Sequence, residues 1–256
     1  MSKPHRGGAL VTGGAKRVGR AICLALAEAG FGVAIHHRGD EADARALARE
    51  ITDKGGIAAA VPADLSDIHE VSTLTAEAAK AVGPLTLLVN NASHFGDDSI
   101  RTLTPQSWAE HIGPNLLAPI LLIQAFAETV ESLPAGSAPM VINILDQRVL
   151  RPNPQFFSYT ISKCALYTAT QTLAQALAPG IRVNGIGPGP TLPSIHQNQA
   201  SFDAEADAII LRRKTELSDI TRALLYLIDA PAVTGQMIAV DGGQHLGWKT
   251  PDIIED

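Results

Sequence analysis

Short apolar runs alternate with longer amphipathic stretches from one end of the chain to the other. "GALVTGG" is a β-type run closed by glycines, and "RAICLALAEAG" sets Ile22, Leu26 and Ala29 on one helical stripe that stops at Gly30. "FGVAIHHR" reads as a second strand and "EADARALAREITDKGG" as a second helix with a glycine stop. "GIAAAVPADLS" and "VSTLTAEAAKAVG" repeat the pair. "LTLLVNNAS", "MVINILD" and "IRVNGIGPGP" are further strands of the buried type, each ending in polar residues or glycine. After the helix "ITRALLYLIDA" comes a last strand, "QMIAVDGG". Strands this apolar face water on neither side, so the pattern predicts a parallel sheet covered on both faces by crossover helices. One α/β domain over residues 1–256 is the simplest account, because no linker or break in composition divides the chain. The least regular stretch, residues 188–214, follows a strand end and carries turn residues before a helix-like tract. It reads either as a flap over a site or as an ordinary surface loop.

Composition narrows the partners. The 256 residues are 46% hydrophobic, 18% charged and 4% aromatic, which is enough for a large core. A net charge of −6 speaks against nucleic acid or an anionic membrane surface. No apolar run approaches the length of a membrane span, and "MSKPHRGG" lacks the hydrophobic segment of a secretory signal. Cys23 and Cys164 lie in apolar helical patterns and read as buried free thiols in a reducing compartment. The expectation is a soluble, cytoplasmic protein.

Candidate chemistry gathers at the strand ends, where an open parallel sheet binds its ligands. In "VTGGAKRVGR", Gly13 and Gly14 allow a sharp turn with exposed backbone, and Gly19 allows close approach of the following helix. The helix N-terminus then offers unpaired N–H groups to a pyrophosphate. At the second strand end, where a carboxylate would bond the ribose of NAD, stand His36, His37 and Arg38. With Lys16 and Arg17 nearby, this cationic corner suits a 2′-phosphate and favours NADP(H) as cofactor, although Asp40 would repel the same phosphate. No further ligand is spaced to complete a metal site with the histidines. Tyr159 and Lys163 stand four apart on a helix face, so the ammonium can draw the phenol towards a working pKa and make it a proton donor.

"TGGAKRVG", "ADLS", "VNNAS", "PNLLA", "YTISK", "GPGPT" and "AVDGG", in that order, resemble the short-chain dehydrogenase/reductase family over essentially the whole chain. The resemblance implies a single-domain Rossmann fold of about seven parallel strands, doubly wound and assembled as a homotetramer. It implies that Gly13, Lys16, Arg17, Val18, Gly19, His37 and Arg38 hold the nucleotide, with Asp64 and Leu65 flanking adenine and Asn91 and Ala92 along the ribose. Pro188, Gly189 and Thr191 would sit by the nicotinamide carboxamide. Tyr159 matches the family's acid and Lys163 its partner, which also holds the cofactor ribose. Asn115 matches the asparagine that supports a proton-relay water.

Asp146 departs from the common pattern, which has serine there to polarise a carbonyl. An ionised carboxylate donates no hydrogen bond and repels a developing alkoxide. Either Asp146 is kept protonated or the substrate is not an ordinary ketone. Aspartate here, with Arg17 in place of the middle glycine of the turn, is similar to the pteridine reductase branch. That likeness implies hydride transfer from NADPH to a pterin C=N bond, the proton passing through Tyr159 and Asp146, and Arg17, Ser93 and Phe95 holding the flat ring. Two rival readings stand beside it. One is an NADPH-dependent ketone or oxoacyl-thioester reductase; the other is a non-catalytic NADP(H) sensor, which would have no chemical need for Tyr159 and Lys163.

Overall fold

A computed structural model of the chain describes residues 5–130, 132–134 and 136–248. The apolar runs form β1 (Gly8–Val11), β2 (Gly32–His37), β3 (Ala58–Pro62), β4 (Leu85–Asn90), β5 (Met140–Ile144), β6 (Arg182–Pro188) and β7 (Met237–Val240). All pair in parallel, in one seven-stranded sheet of order β3-β2-β1-β4-β5-β6-β7. The order reverses between β1 and β4, and that reversal opens a crevice at the strands' carboxyl ends.

Each strand is apolar on both sides because each side meets a helix layer. Ala9, Val11, Leu87, Val89, Met140 and Ile142 point towards α1 (Arg17–Glu28), α2 (Glu41–Asp53) and α8 (Leu217–Asp229), packing with Ile22, Leu47 and Leu224. Leu10, Leu88, Val141 and Val183 point the other way, towards Leu74 on α3 (Ile68–Val82), Phe126 on α5 (Ala118–Val130) and Ala174 on α6 (Phe157–Ala176). The helices start where the sequence supplies a cap: Asp67 accepts from His69 N at 2.8 Å ahead of α3. Thr104 and Ser107 bond reciprocally ahead of α4 (Pro105–Ile112), with Pro105 in the first turn.

The helical tract Pro105–Val130 is long and apolar enough, by length and composition, to cross a membrane, which corrects the reading that no such run exists. Pattern reading missed it because Gly113 and Pro114 interrupt it. In the structure they sit in a π-type turn, Gly113–Leu117, that carries the helix through. Leu122, Ile123 and Phe126 of this tract are buried in the core against α3 and β4. Of the two thiols expected to be buried, Cys23 is buried and Cys164 only partly so. The stretch 188–214 contains a helix, α7 (Gln199–Ala208).

Candidate active site

A cavity of about 830 Å³ lies along the carboxyl ends of β1, β2, β4, β5 and β6. Gly13 has φ +61°, and a Cβ there would stand 3.0 Å from Ala92 Cα. At Gly19 a Cβ would stand 2.1 Å from the Gly13 carbonyl oxygen, so the turn and α1 approach as closely as only glycine allows. Asn91 Nδ2 donates to the Thr12 and Gly13 carbonyls at 2.9 and 3.1 Å, which ties β4 to the turn. Arg17 stands at φ +51°, a conformation that costs a non-glycine residue roughly 1–2 kcal/mol.

The cationic corner is more selective than its sequence. His36 is buried; its Nδ1 accepts from Gly13 N at 2.9 Å and its Nε2 meets the Ala63 carbonyl at 3.0 Å. Burial pulls its pKa down to about 4, so it is a neutral strut. Lys16 is engaged with Asp40 at 2.5 Å and Asp43 at 3.1 Å, which also neutralises the repulsion expected of Asp40. Two groups remain available: Arg38, exposed at the rim, and His37, whose buried Nδ1 has no hydrogen-bond partner among the described residues. Asp64 and Leu65 line the same end, with Asp64 Oδ1 accepting from Ser66 N.

At the other end β5 delivers Asp146 and α6 delivers Tyr159 and Lys163. Asp146 caps the 3-10 turn Gln147–Leu150, its Oδ1 accepting from Arg148 N at 2.8 Å. Its Oδ2 accepts from the Tyr159 hydroxyl at 2.9 Å. Lys163 is 2% exposed and its Nζ donates to the Ile144 carbonyl at 2.8 Å, 5.8 Å from the Tyr159 ring centre. Burial pushes the phenol well above its ordinary pKa and the Asp146 carboxylate adds to this; Arg148 offsets part of it. The expected lowering of the phenol by Lys163 is therefore outweighed, and Tyr159 keeps its proton. Burial also lowers the Lys163 ammonium to about 8, against the pull of Asp146.

Asn115, fully buried in the π-type turn, is turned away from the cavity. Its Oδ1 accepts from His94 N at 2.7 Å and from Ser93 Oγ at 3.3 Å; its Nδ2 donates to the His94 carbonyl at 2.9 Å and to Ser162 Oγ at 3.1 Å. Every lobe of the amide is spent on clamping the loop after β4 to α6. Phe95 in that loop stacks on Phe156 with ring centres 4.4 Å apart and meets the Tyr159 ring edge-on at 4.7 Å. His196 abuts both phenylalanines, and its Nε2 lies 3.2 Å from the Phe95 carbonyl. Arg17 spans the crevice to the carbonyls of Leu192 and Pro193 at 3.2 and 3.0 Å.

Of the cofactor, substrate and catalytic candidates singled out from the sequence, all but Gly14 and Asn115 line this cavity; Val18, Ser93, Pro188, Gly189 and Thr191 lie along it with the rest. Sequence reading passed over Arg148, Phe156, His94 and His196, which also form its wall. Arg148 follows Asp146 by two residues, and its charge was the available signal. Phe156 and His196 carried none, since their place depends on how two loops fold towards each other. No cluster of potential metal ligands occurs among the described residues.

A family model described as "Enoyl-(Acyl carrier protein) reductase" matches residues 13–245. The crystal structure of FolM alternative dihydrofolate reductase 1 from Brucella canis, complexed with NADP, is 47% identical with a TM-score of 0.90, covering 97% of this chain and 98% of that one. Pteridine reductase 1 of Leishmania tarentolae is 31% identical, covering 93% of this chain and 96% of that protein. The 3-oxoacyl-[acyl-carrier-protein] reductase FabG of Staphylococcus epidermidis is 32% identical, covering 93% and 98%. With the sheet order, the glycine turn and the Asp146–Tyr159–Lys163 cluster, these likenesses mean that the chain belongs to the short-chain dehydrogenase/reductase family of oxidoreductases, in its pteridine reductase-like branch.

Proposed function

We propose that this protein is an NADPH-dependent reductase of a pterin-type C=N bond, in a dihydropterin or dihydrofolate. The carrying observation is the hydrogen bond from the Tyr159 hydroxyl to Asp146 Oδ2 at 2.9 Å. A carboxylate in that place accepts; it offers a ketone oxygen nothing, and it suits proton delivery to a ring nitrogen. This weighs against the oxoacyl reading, despite the FabG likeness.

The residues present fit NADP(H). Gly13 and Gly19 leave the backbone cradle that a pyrophosphate needs, and His37 Nδ1 and Arg38, neither with a partner among the described residues, suit a 2′-phosphate. When bound, the cofactor supplies the hydride. Tyr159 gives its hydroxyl proton to the ring nitrogen as the ring carbon gains the hydride, which turns C=N into CH–NH. Asp146 then passes a proton from solvent to the phenolate, and the Lys163 ammonium stabilises that phenolate while it lasts. Phe95 supplies an aromatic wall for the heterocycle. Ser93 and Arg17 border the ring's place, with Asn115 holding the Ser93–Phe95 loop.

The test is NADPH consumption by purified protein with dihydrobiopterin, dihydrofolate and an acetoacetyl thioester in parallel. Turnover of the pterins is expected; turnover of the thioester alone would overturn the reading, and NADPH binding without any turnover would favour the sensor. The same reading has one domain working in the cytoplasm as a homotetramer. Light scattering should then give four times the 26.9 kDa chain mass, and a monomer would refute it.

A further inference from the structure

Arg148 stands beside the reacting pair, and its part in the chemistry above is to offset some of the rise in the Tyr159 pKa. All its side-chain hydrogen bonds among the described residues run from Nη1: to the Gln155 carbonyl at 3.1 Å, Asn153 Oδ1 at 3.3 Å and Thr160 Oγ1 at 3.5 Å. The guanidinium carbon lies 5.4 Å from the Phe156 ring centre and 5.9 Å from that of Tyr159. One corner and two rings therefore hold the group in place. The opposite edge, Nε with Nη2, has no partner among the described residues, and Nε is shut off from water. Asp146 meets Arg148 only through its backbone N–H, and no ion pair to the guanidinium occurs among the described residues.

A shielded donor without a partner is costly, and an Arg fork presents Nε and Nη2 side by side, the spacing a carboxylate takes bidentately. Phe156, which helps to hold it, stands at φ +52°, an unfavourable conformation for a residue with a side chain. The nucleotide's own phosphates are not the natural partner. Arg148 follows β5, two strands along the sheet from β1 with its glycine turn and three from β2 with His37 and Arg38, roughly 9 and 14 Å at the usual strand spacing.

We propose that the Nε–Nη2 edge of Arg148 is an anion subsite that takes a carboxylate on the substrate's side chain. The enzyme then prefers a pterin with an acidic tail, such as the glutamate of dihydrofolate, over one with a neutral tail, such as dihydrobiopterin. This rests on the pterin reading for its substrates, so the test carries a readout that does not need turnover. Steady-state constants for both pterins are compared in the wild type, Arg148→Met and Arg148→Lys, together with calorimetric titration of folate into the NADP-loaded protein.

Arg148→Met should raise KM for dihydrofolate and Kd for folate by about tenfold or more and KM for dihydrobiopterin far less, while any change in kcat from losing the cation beside Tyr159 should be the same for both pterins. Arg148→Lys, which keeps charge without the fork, should recover part of the loss. An equal rise in KM for both pterins, or no rise for either, overturns the subsite while leaving pterin reduction standing. If the wild type reduces neither pterin, folate binding that weakens in Arg148→Met keeps the subsite and removes only the reductase reading. Folate that fails to bind, or binds both proteins alike, removes the subsite.

Discussion

At the residue scale, Tyr159 is held by two opposing demands. In the proposed reduction it must release a proton, yet burial and the neighbouring Asp146 carboxylate make its hydroxyl hold that proton more tightly than a free phenol does. A donor that stays loaded across the working range is the result. Removing it by Tyr159→Phe should lower kcat by about 10²–10⁴-fold and leave NADPH affinity nearly unchanged, as single-turnover and binding measurements would show. The alkaline limb of the rate profile should belong to Lys163 instead. Its ammonium is lowered to about 8 by burial, so kcat/KM should fall as pH rises through that value. In Lys163→Arg, whose cation does not titrate there, the fall should disappear from the profile of whatever activity remains. In the proposed NADPH reading Arg38 carries the choice of nucleotide, because Lys16 is tied to Asp40 and Asp43. Arg38→Ala should weaken NADPH binding by about 10–100-fold and NADH binding far less, measured by fluorescence titration.

At the element scale, the glycine turn and the π-type turn do the positioning. A Cβ at Gly19 would overlap the Gly13 carbonyl and stand 2.7 Å from Asn91 Nδ2, the amide that ties β4 to the turn. Gly19→Ala should cost about 1–3 kcal/mol in denaturant unfolding and abolish nucleotide binding, because the turn and helix must part to fit it. The Gly113–Leu117 turn is the less obvious device. By carrying a wider helical turn past Pro114 it buries Asn115 where all its amide bonds reach the Ser93–Phe95 loop and α6. Arg17 shows the same economy: it accepts a strained backbone, and its side chain bridges to the 190s loop.

At the scale of the molecule, His36 joins three strand ends. It is a residue of β2, its Nδ1 takes the N–H of Gly13 after β1, and its Nε2 reaches Ala63 after β3. Protonation would put a hydrogen on the nitrogen that must accept, inside the core. The folded pKa of about 4 lies below the ordinary 6.5, so the unfolded chain binds more protons between those values. This group's contribution is therefore complete above pH 6.5 and lost as pH falls towards 4, roughly 3 kcal/mol in all. Denaturant midpoints taken at the two ends of that window should show the drop, and His36→Gln, which keeps an acceptor, should shrink it.

The sequence by itself determined the sheet, its parallel sense and the positions of its strands, because strands buried on both faces leave continuous apolar runs and glycine stops that local pattern reports. It also determined the crevice, since ligand-binding residues cluster at the ends of those runs, and singled out Asp146 as a departure from serine. The tertiary structure decided what each group is free to do. Lys16 and His36 look as cationic as Arg38 in the sequence, but a carboxylate pair occupies one and burial neutralises the other. The Asn115 side-chain amide, which the sequence leaves unassigned, is spent on clamping the loop after β4 to α6. Phe156, His196 and the open edge of Arg148 meet only when distant loops close on each other. Periodicity is local and survives in the chain, whereas charge state, hydrogen-bond saturation and encounters between loops depend on neighbours that only folding supplies.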